Sequence, residues 1–337
     1  MMKLKWFIVL TFFAALGTAI PTLAEKAKDR IVLFDASPNV PTFPTSINHS
    51  GEITGYYVDP SQVFHGFTRD KKGTITTFDA PGAGTHGTFP VSINGRGEIA
   101  GYYYGASVFV THGFVRHSDG TFTSFDVGPN TQTFPVAINE RDEIAGYYSD
   151  AGFPHGFVRA ADGTTATFAV LGPSTITFPT SINARGEITG SCNDLSGTHG
   201  FVRYEDGAIA TFDAGPSGTQ PASINPSGEI TGSYFAPGGL HGLLAHGFVR
   251  HSDGSISTFD ADPPIFGTYP QSINPRGEVT GFFFDANILM HGFVRQSDGT
   301  ITTFDAGSIA NGTSPTSINA RGEITGSYQG HGFLQSR

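Results

Sequence analysis

One short stretch of sequence returns about every 45 residues, and that recurrence limits what this chain can fold into more than any other feature. Ser-Ile-Asn, once Ala-Ile-Asn, recurs with its asparagine at Asn48, Asn94, Asn139, Asn183, Asn225, Asn274 and Asn319, at spacings of 42 to 49 residues. Each copy continues through Gly-Glu-Ile-Thr-Gly or a close variant and reaches His-Gly-Phe, which begins at His65, His112, His155, His199, His246, His291 and His331. The seven units start near residues 42, 88, 133, 177, 219, 268 and 313. Such an array buries the apolar face of each unit against the next.

Each unit reads as four short strands. In the first, Ser46-Ile47-Asn48 leads through an Asn-x-x-Gly turn into Glu52 to Tyr57, a variable loop precedes His65 to Arg69, and a tight turn leads to Thr74 to Asp79. Asp119-Gly120, Asp162-Gly163, Asp206-Gly207, Asp253-Gly254 and Asp298-Gly299 sit where a hairpin needs positive φ. Asp142 stands where the other six first turns have Gly, an exchange that Asp tolerates better than most residues. With 45 Gly and 21 Pro, about one residue in five breaks helices, which excludes helical repeats. Four antiparallel strands at this period predict an all-β, seven-bladed β-propeller. The last unit stops soon after His331-Gly332-Phe333 without its fourth strand, and an orphan strand lies at 30–36. Pairing the two closes the ring and removes an open edge.

Residues 1–24 read as a signal peptide: Lys3 and Lys5, an apolar run from Phe7 to Ile20, then Thr22-Leu23-Ala24. The mature domain is then 25–337, secreted to the periplasm or beyond, with no membrane span after cleavage. Losing Lys3 and Lys5 leaves 17 basic against 29 acidic residues, a charge of −12. That balance argues against a nucleic-acid partner. The one cysteine, Cys192, allows no internal disulfide and reads as a packed thiol. A monomer is expected.

Ser-Ile-Asn-x-x-Gly-Glu-Ile-Thr-Gly and His-Gly-Phe-Val-Arg-x-x-Asp-Gly together resemble the HAF family of probable extracellular repeat proteins, across all seven units. The resemblance implies export and repeat architecture and carries no established activity. The middle residue of His-Gly-Phe is Gly in all seven copies where the family name implies Ala, which reads as an exchange at a small-residue position.

The recurring residues read as structural. Eleven of 13 Arg fall on the face bearing the tight turns, beside the Glu series from Glu52, which suggests ion pairs and hydrogen bonds between blades. Ring-related His in adjacent blades are too far apart to share a metal. Each is expected to bond the Asp of a neighbouring Phe-Asp element, namely Asp35, Asp79, Asp126, Asp213, Asp260 or Asp305, a series broken only at Phe168-Ala169.

A singular site must draw on what differs between blades. Thr-x-Pro enters each innermost strand, and its middle residue is Phe43, Phe89, Phe134, Phe178, Gln220, Tyr269 or Ser314. These seven should ring the mouth of the channel on the face that carries the blade-to-blade crossovers, as an aromatic rim with a polar gap. Packing between blades is the simpler reading of the same residues. The largest insertion, residues 237–245 with His241, adjoins the gap. Asp59, Asp150, Asp194 and Asp285 join that face as solvated loop residues or as calcium or sugar ligands. No Gly-x-Ser-x-Gly, P-loop or His-Glu-x-x-His is present, and no cofactor is implied. The expectation is a binding or scaffold module for a glycan or protein ligand rather than an enzyme. The rival is a polysaccharide lyase or glycoside hydrolase on the same scaffold.

Overall fold

Three reversals of the chain build each of the first six blades. β1 (Arg30–Phe34) opens the described chain and stands apart; β2 (Thr42–Ile47), β3 (Ile53–Val58), β4 (Phe64–Arg69) and β5 (Ile75–Phe78) then pair in that order as one antiparallel sheet. The computed structural model describes residues 30–336 apart from 107–109, 150–152, 239–241, 262–266 and 309–311, so the expected leader at 1–24 lies outside the described residues. Six further four-stranded sheets follow, and they complete a seven-bladed β-propeller. The last blade is β26 (Thr313–Ile318), β27 (Ile324–Tyr328) and β28 (His331–Ser336), with β1 as its outer strand. Arg30 faces Ser336 and Phe34 faces Gly332, as the orphan strand predicts. Among the described residues there is no helix long and apolar enough to cross a membrane.

β2 and its six counterparts are innermost, running from the crossover face to the turn face. Each is bulged just after its proline, between Pro44 and Ser46 in the first blade. Pro is tolerated there because an innermost strand is a sheet edge with no ladder partner on one side.

The motif residues tie neighbouring blades together. Asn48 Nδ2 donates to Asn94 O at 3.0 Å, and the series continues blade by blade until Asn319 Nδ2 donates to Asn48 O at 3.0 Å. These seven bonds close a circle at the turn-face end of the axis. Ser46 Oγ accepts from Ile93 N, a contact present at six junctions and missing where Ala137 has no hydroxyl to offer. Between blades lie apolar layers such as Ile47, Ile53 and Phe67 against Phe34 and Leu334, with Ile53 and Phe67 fully buried.

Two readings of the motif need correction. The six Arg that follow His-Gly-Phe do not make ion pairs between blades. Each lies over a Phe of the preceding blade at 4.7–5.3 Å, for example Arg69 over Phe34 and Arg159 over Phe125. The flat guanidinium suits a ring face. The Gly of His-Gly-Phe is not interchangeable with Ala either. A Cβ on Gly200 would lie 2.6 Å from the Phe212 ring, and all seven copies are similarly tight, because the outer-strand Phe rests on bare backbone.

Candidate ligand-binding face

Thr-x-Pro divides its labour. Thr42 is fully buried, and its Oγ1 accepts from Ala36 N of the incoming crossover at 3.0 Å. The same clamp recurs in all seven blades. Alternation along the strand then turns the middle residue to the other side, where it meets a cross-strand partner on the second strand. These partners are Tyr56 for Phe43, Tyr102 for Phe89, Tyr147 for Phe134, Ser191 for Phe178, Ser233 for Gln220, Phe282 for Tyr269 and Ser327 for Ser314.

The pairs fuse into a continuous arc over four blades. Phe43, Tyr56, Phe89, Tyr102, Phe134, Tyr147 and Phe178 follow one another with centroids 4.9–5.5 Å apart. Within a blade the rings stack at 10–29°; between blades they tilt or meet edge-on at 59–88°. Tyr269 stacks on Phe282 at 5.1 Å as a second, shorter patch. Ser191, exposed Gln220, Ser233, Ser314 and Ser327 are the polar intervals. Burial pushes the Tyr56, Tyr102, Tyr147 and Tyr269 hydroxyls above their ordinary value, so they stay protonated donors. Sequence reasoning missed the second-strand partners. Each follows the Gly of the Ile-Thr-Gly element, and that position faces the rim only because of the bulge after the proline.

Beside the polar interval, the fifth blade's middle hairpin is longer than its counterparts, Ile230–Pro237 pairing with Leu243–Arg250. His241 and Asp150 lie outside the described residues. Asp59, Asp194 and Asp285 are not brought together. Each caps its own loop: Asp59 Oδ1 accepts from the Ser61 and Val63 amides, Asp194 from Ser196 and Gly197, Asp285 from Asn287 and Leu289. The Ser196 hydroxyl and amide hold the Asp194 carboxyl down at about 2. Among the described residues no three His, Cys, Asp or Glu are grouped to hold a metal ion.

The His–Asp pairing is as expected. Nδ1 of His65, His112, His199, His246, His291 and His331 lies 2.7–2.9 Å from Asp79, Asp126, Asp213, Asp260, Asp305 and Asp35. His155 has Ala169 in place of the Asp; it packs on Tyr148, as His65, His112, His246 and His291 pack on Tyr57, Tyr103, Tyr234 and Phe283. In three blades a second carboxylate approaches Nε2: Asp59 on His65 at 3.6 Å, Asp194 on His199 at 3.3 Å, Asp285 on His291 at 3.6 Å. Asp213, with Asp194, raises the His199 imidazole above its usual value. Cys192 is buried, and desolvation pushes its thiol up to about 11, which keeps it unreactive.

Among the described residues of the turn face, Asp142 is the one non-glycine held at positive φ, at 61°. Six of the seven ring Asn also donate Nδ2 to the Glu of their own turn, whereas Asn94 donates to Asp142 of the next blade at 2.8 Å. Arg96 pairs with Asp142 as well. Glu98 leans to His117, 3.5 Å away, beside a cavity of about 140 Å³. Burial and the adjoining Asp142 carboxylate push Glu98 above the usual carboxyl range. Burial opposes ionisation of Asp142, but the bonds from Arg96 and Asn94 outweigh it. A larger cavity, about 220 Å³, lies on the same face between the first two blades. Asp142→Gly relieves the left-handed backbone and returns Glu98 to Asn94. It is expected to stabilise the protein by about 1 kcal/mol in denaturant titrations.

No family model and no curated protein matches this chain. Among solved structures, a catalytically inactive virginiamycin B lyase from Staphylococcus aureus with quinupristin is similar at TM-score 0.62 and 10% identity, covering 92% of this chain and 100% of that one. A streptogramin B lyase is similar at TM-score 0.58 and 12% identity, covering 91% and 97%. At such identities the likeness shows the fold alone.

Proposed function

We propose that this protein is an exported HAF-type binding module that holds an extracellular glycan against its crossover face. The observation that carries this reading is the aromatic arc from Phe43 to Phe178 with its polar intervals. Apolar sugar faces stack on Phe and Tyr, while the polar intervals and tyrosine hydroxyls supply hydrogen bonds. Almost every other recurring residue is engaged between or within blades, whereas the rim residue differs from blade to blade. Support for binding over turnover comes from the acids of this face, which are engaged by imidazoles and loop amides. The uneven carboxyl pair at Glu98 and Asp142 lies at the opposite face, away from the arc.

A glycan panel read for both retention and cleavage, with and without calcium, tests this. Tyr147→Ala and Tyr269→Ala are each expected to weaken the best retained glycan about tenfold, the loss of one aromatic contact, with melting preserved. Arg185→Ala on the turn face should leave affinity unchanged. Cleavage products, or affinity lost only on turn-face replacement, would overturn the reading.

A further inference from the structure

Charge is divided between the two faces as sharply as the strand order allows. Every described Lys and Arg, namely Lys71, Lys72 and 12 Arg from Arg30 to Arg321, lies at the turn-face end of its strand or in a turn. Sixteen carboxylates share that face, so 14 cations against 16 anions leave it at −2. The crossover face holds nine described carboxylates, the six His-paired Asp together with Asp59, Asp194 and Asp285, and no Lys or Arg, which leaves −9 with His neutral. These nine side chains keep 21–53% exposure after bonding imidazoles and amides.

The position of this field bears on the ligand. The His-paired Asp end the outer strands, two to three strand spacings from the rim, roughly 10–15 Å. They therefore encircle the arc. A one-signed ring around an aromatic surface concentrates cations and repels anions, and an ammonium group gains twice, from carboxylates and from the faces of Phe and Tyr. Uronate polymers would need the Lys and Arg that this face lacks.

We infer that the ligand of the crossover face is a polycationic glycan, a polymer of hexosamines with free amino groups. This rests on the glycan reading above. An amino sugar carries an apolar C–H face and an ammonium in one residue, which matches the alternation of ring and carboxylate from centre to edge. The nine carboxylates act together at low salt, where the Debye length of about 30 Å at 0.01 M spans the face, and separately at high salt.

The test compares oligomers of equal length: β-1,4-linked glucosamine, its N-acetylated counterpart, and oligogalacturonate, each titrated calorimetrically at low and high salt. Glucosamine oligomers should bind at least about tenfold more tightly than acetylated ones. That margin should shrink with salt, and oligogalacturonate should not bind. Asp79→Asn combined with Asp126→Asn and Asp213→Asn keeps an oxygen for each imidazole. The triple variant should lose several-fold affinity for glucosamine oligomers and little for acetylated ones, with its melting curve as the check on folding. Equal or tighter binding of the acetylated oligomer, or no salt dependence in the unaltered protein, overturns the charge inference and leaves the glycan reading standing. Binding of a Lys-rich peptide with no oligosaccharide bound overturns both.

Discussion

Deleting residues 30–36 should destabilise the propeller by at least about 4 kcal/mol, with aggregation on concentration. β1 supplies the whole outer edge of the last blade, paired from Arg30 to Phe34 with β28. Its removal takes away more than ladder bonds. Phe34 packs edge-on against Phe67 at 6.1 Å and lies under the Arg69 guanidinium, while Asp35 holds His331 at 2.7 Å and Ala36 N is clamped by Thr42. Ile31 packs in the core layer with Leu334's neighbour Phe333. Two half-buried apolar side chains at roughly 1–2 kcal/mol each, an unpaired edge and a stranded Arg69 together reach that figure. The exposed edge of β28 would then be a template for pairing with other chains. Thermal and chemical melting of the shortened protein measures the loss. A permuted chain that carries residues 30–36 after Ser336, through a turn copied from 297–299, should recover most of it. A shortened protein that melts like the parent would mean that β1 adds nothing to closure.

Blade number, strand order and closure were legible because a propeller repeats each contact seven times, so one unit's pattern is confirmed by six others. The His–Asp pairs were legible for the same reason: the pair recurs in six blades, and the blade without it is the one with Ala169 in place of the Asp. What stayed hidden depends on register and on approach between backbones. That Tyr56 rather than Tyr57 faces Phe43 follows from the bulge after Pro44, which no composition or spacing reveals. Stacking of Arg on Phe looked like ion pairing because the Glu series lies close in sequence, yet Arg141, Arg185, Arg276 and Arg321 satisfy those Glu within their own turns. The consequence of Asp142 was hidden too. A turn residue read as a tolerable exchange in fact takes the second Asn94 Nδ2 bond, which elsewhere goes to the Glu of the same turn.

Gly190→Ala should be among the most damaging single substitutions in the protein, at about 3 kcal/mol or more. The reason is the same bulge. It bends the innermost strand so that the carbonyl of the rim residue crosses over the second strand, and a Cβ on Gly190 would lie 2.1 Å from Phe178 O and 2.7 Å from Pro179 Cα. Backbone cannot yield as a side-chain tip can. The corresponding Gly in the other six blades are equally close to a rim carbonyl, at 2.2–2.4 Å, which accounts for a Gly that never varies in the motif. Relief requires that the innermost strand shift, and that strand carries the rim residue Phe178, the Thr177 clamp on Val170 N and the Asn183 link to the next blade. The strain therefore spreads to the axis, beyond the overpacking of an ordinary core site, which typically costs about 1–3 kcal/mol. Gly128→Ala serves as the control, since its nearest neighbour would be a Thr131 methyl at 3.3 Å, and it should change stability by less than about 1 kcal/mol. Equal melting midpoints for the two variants would show that the bulge can flatten without loss, and that the rim is held by something other than the Gly beneath it.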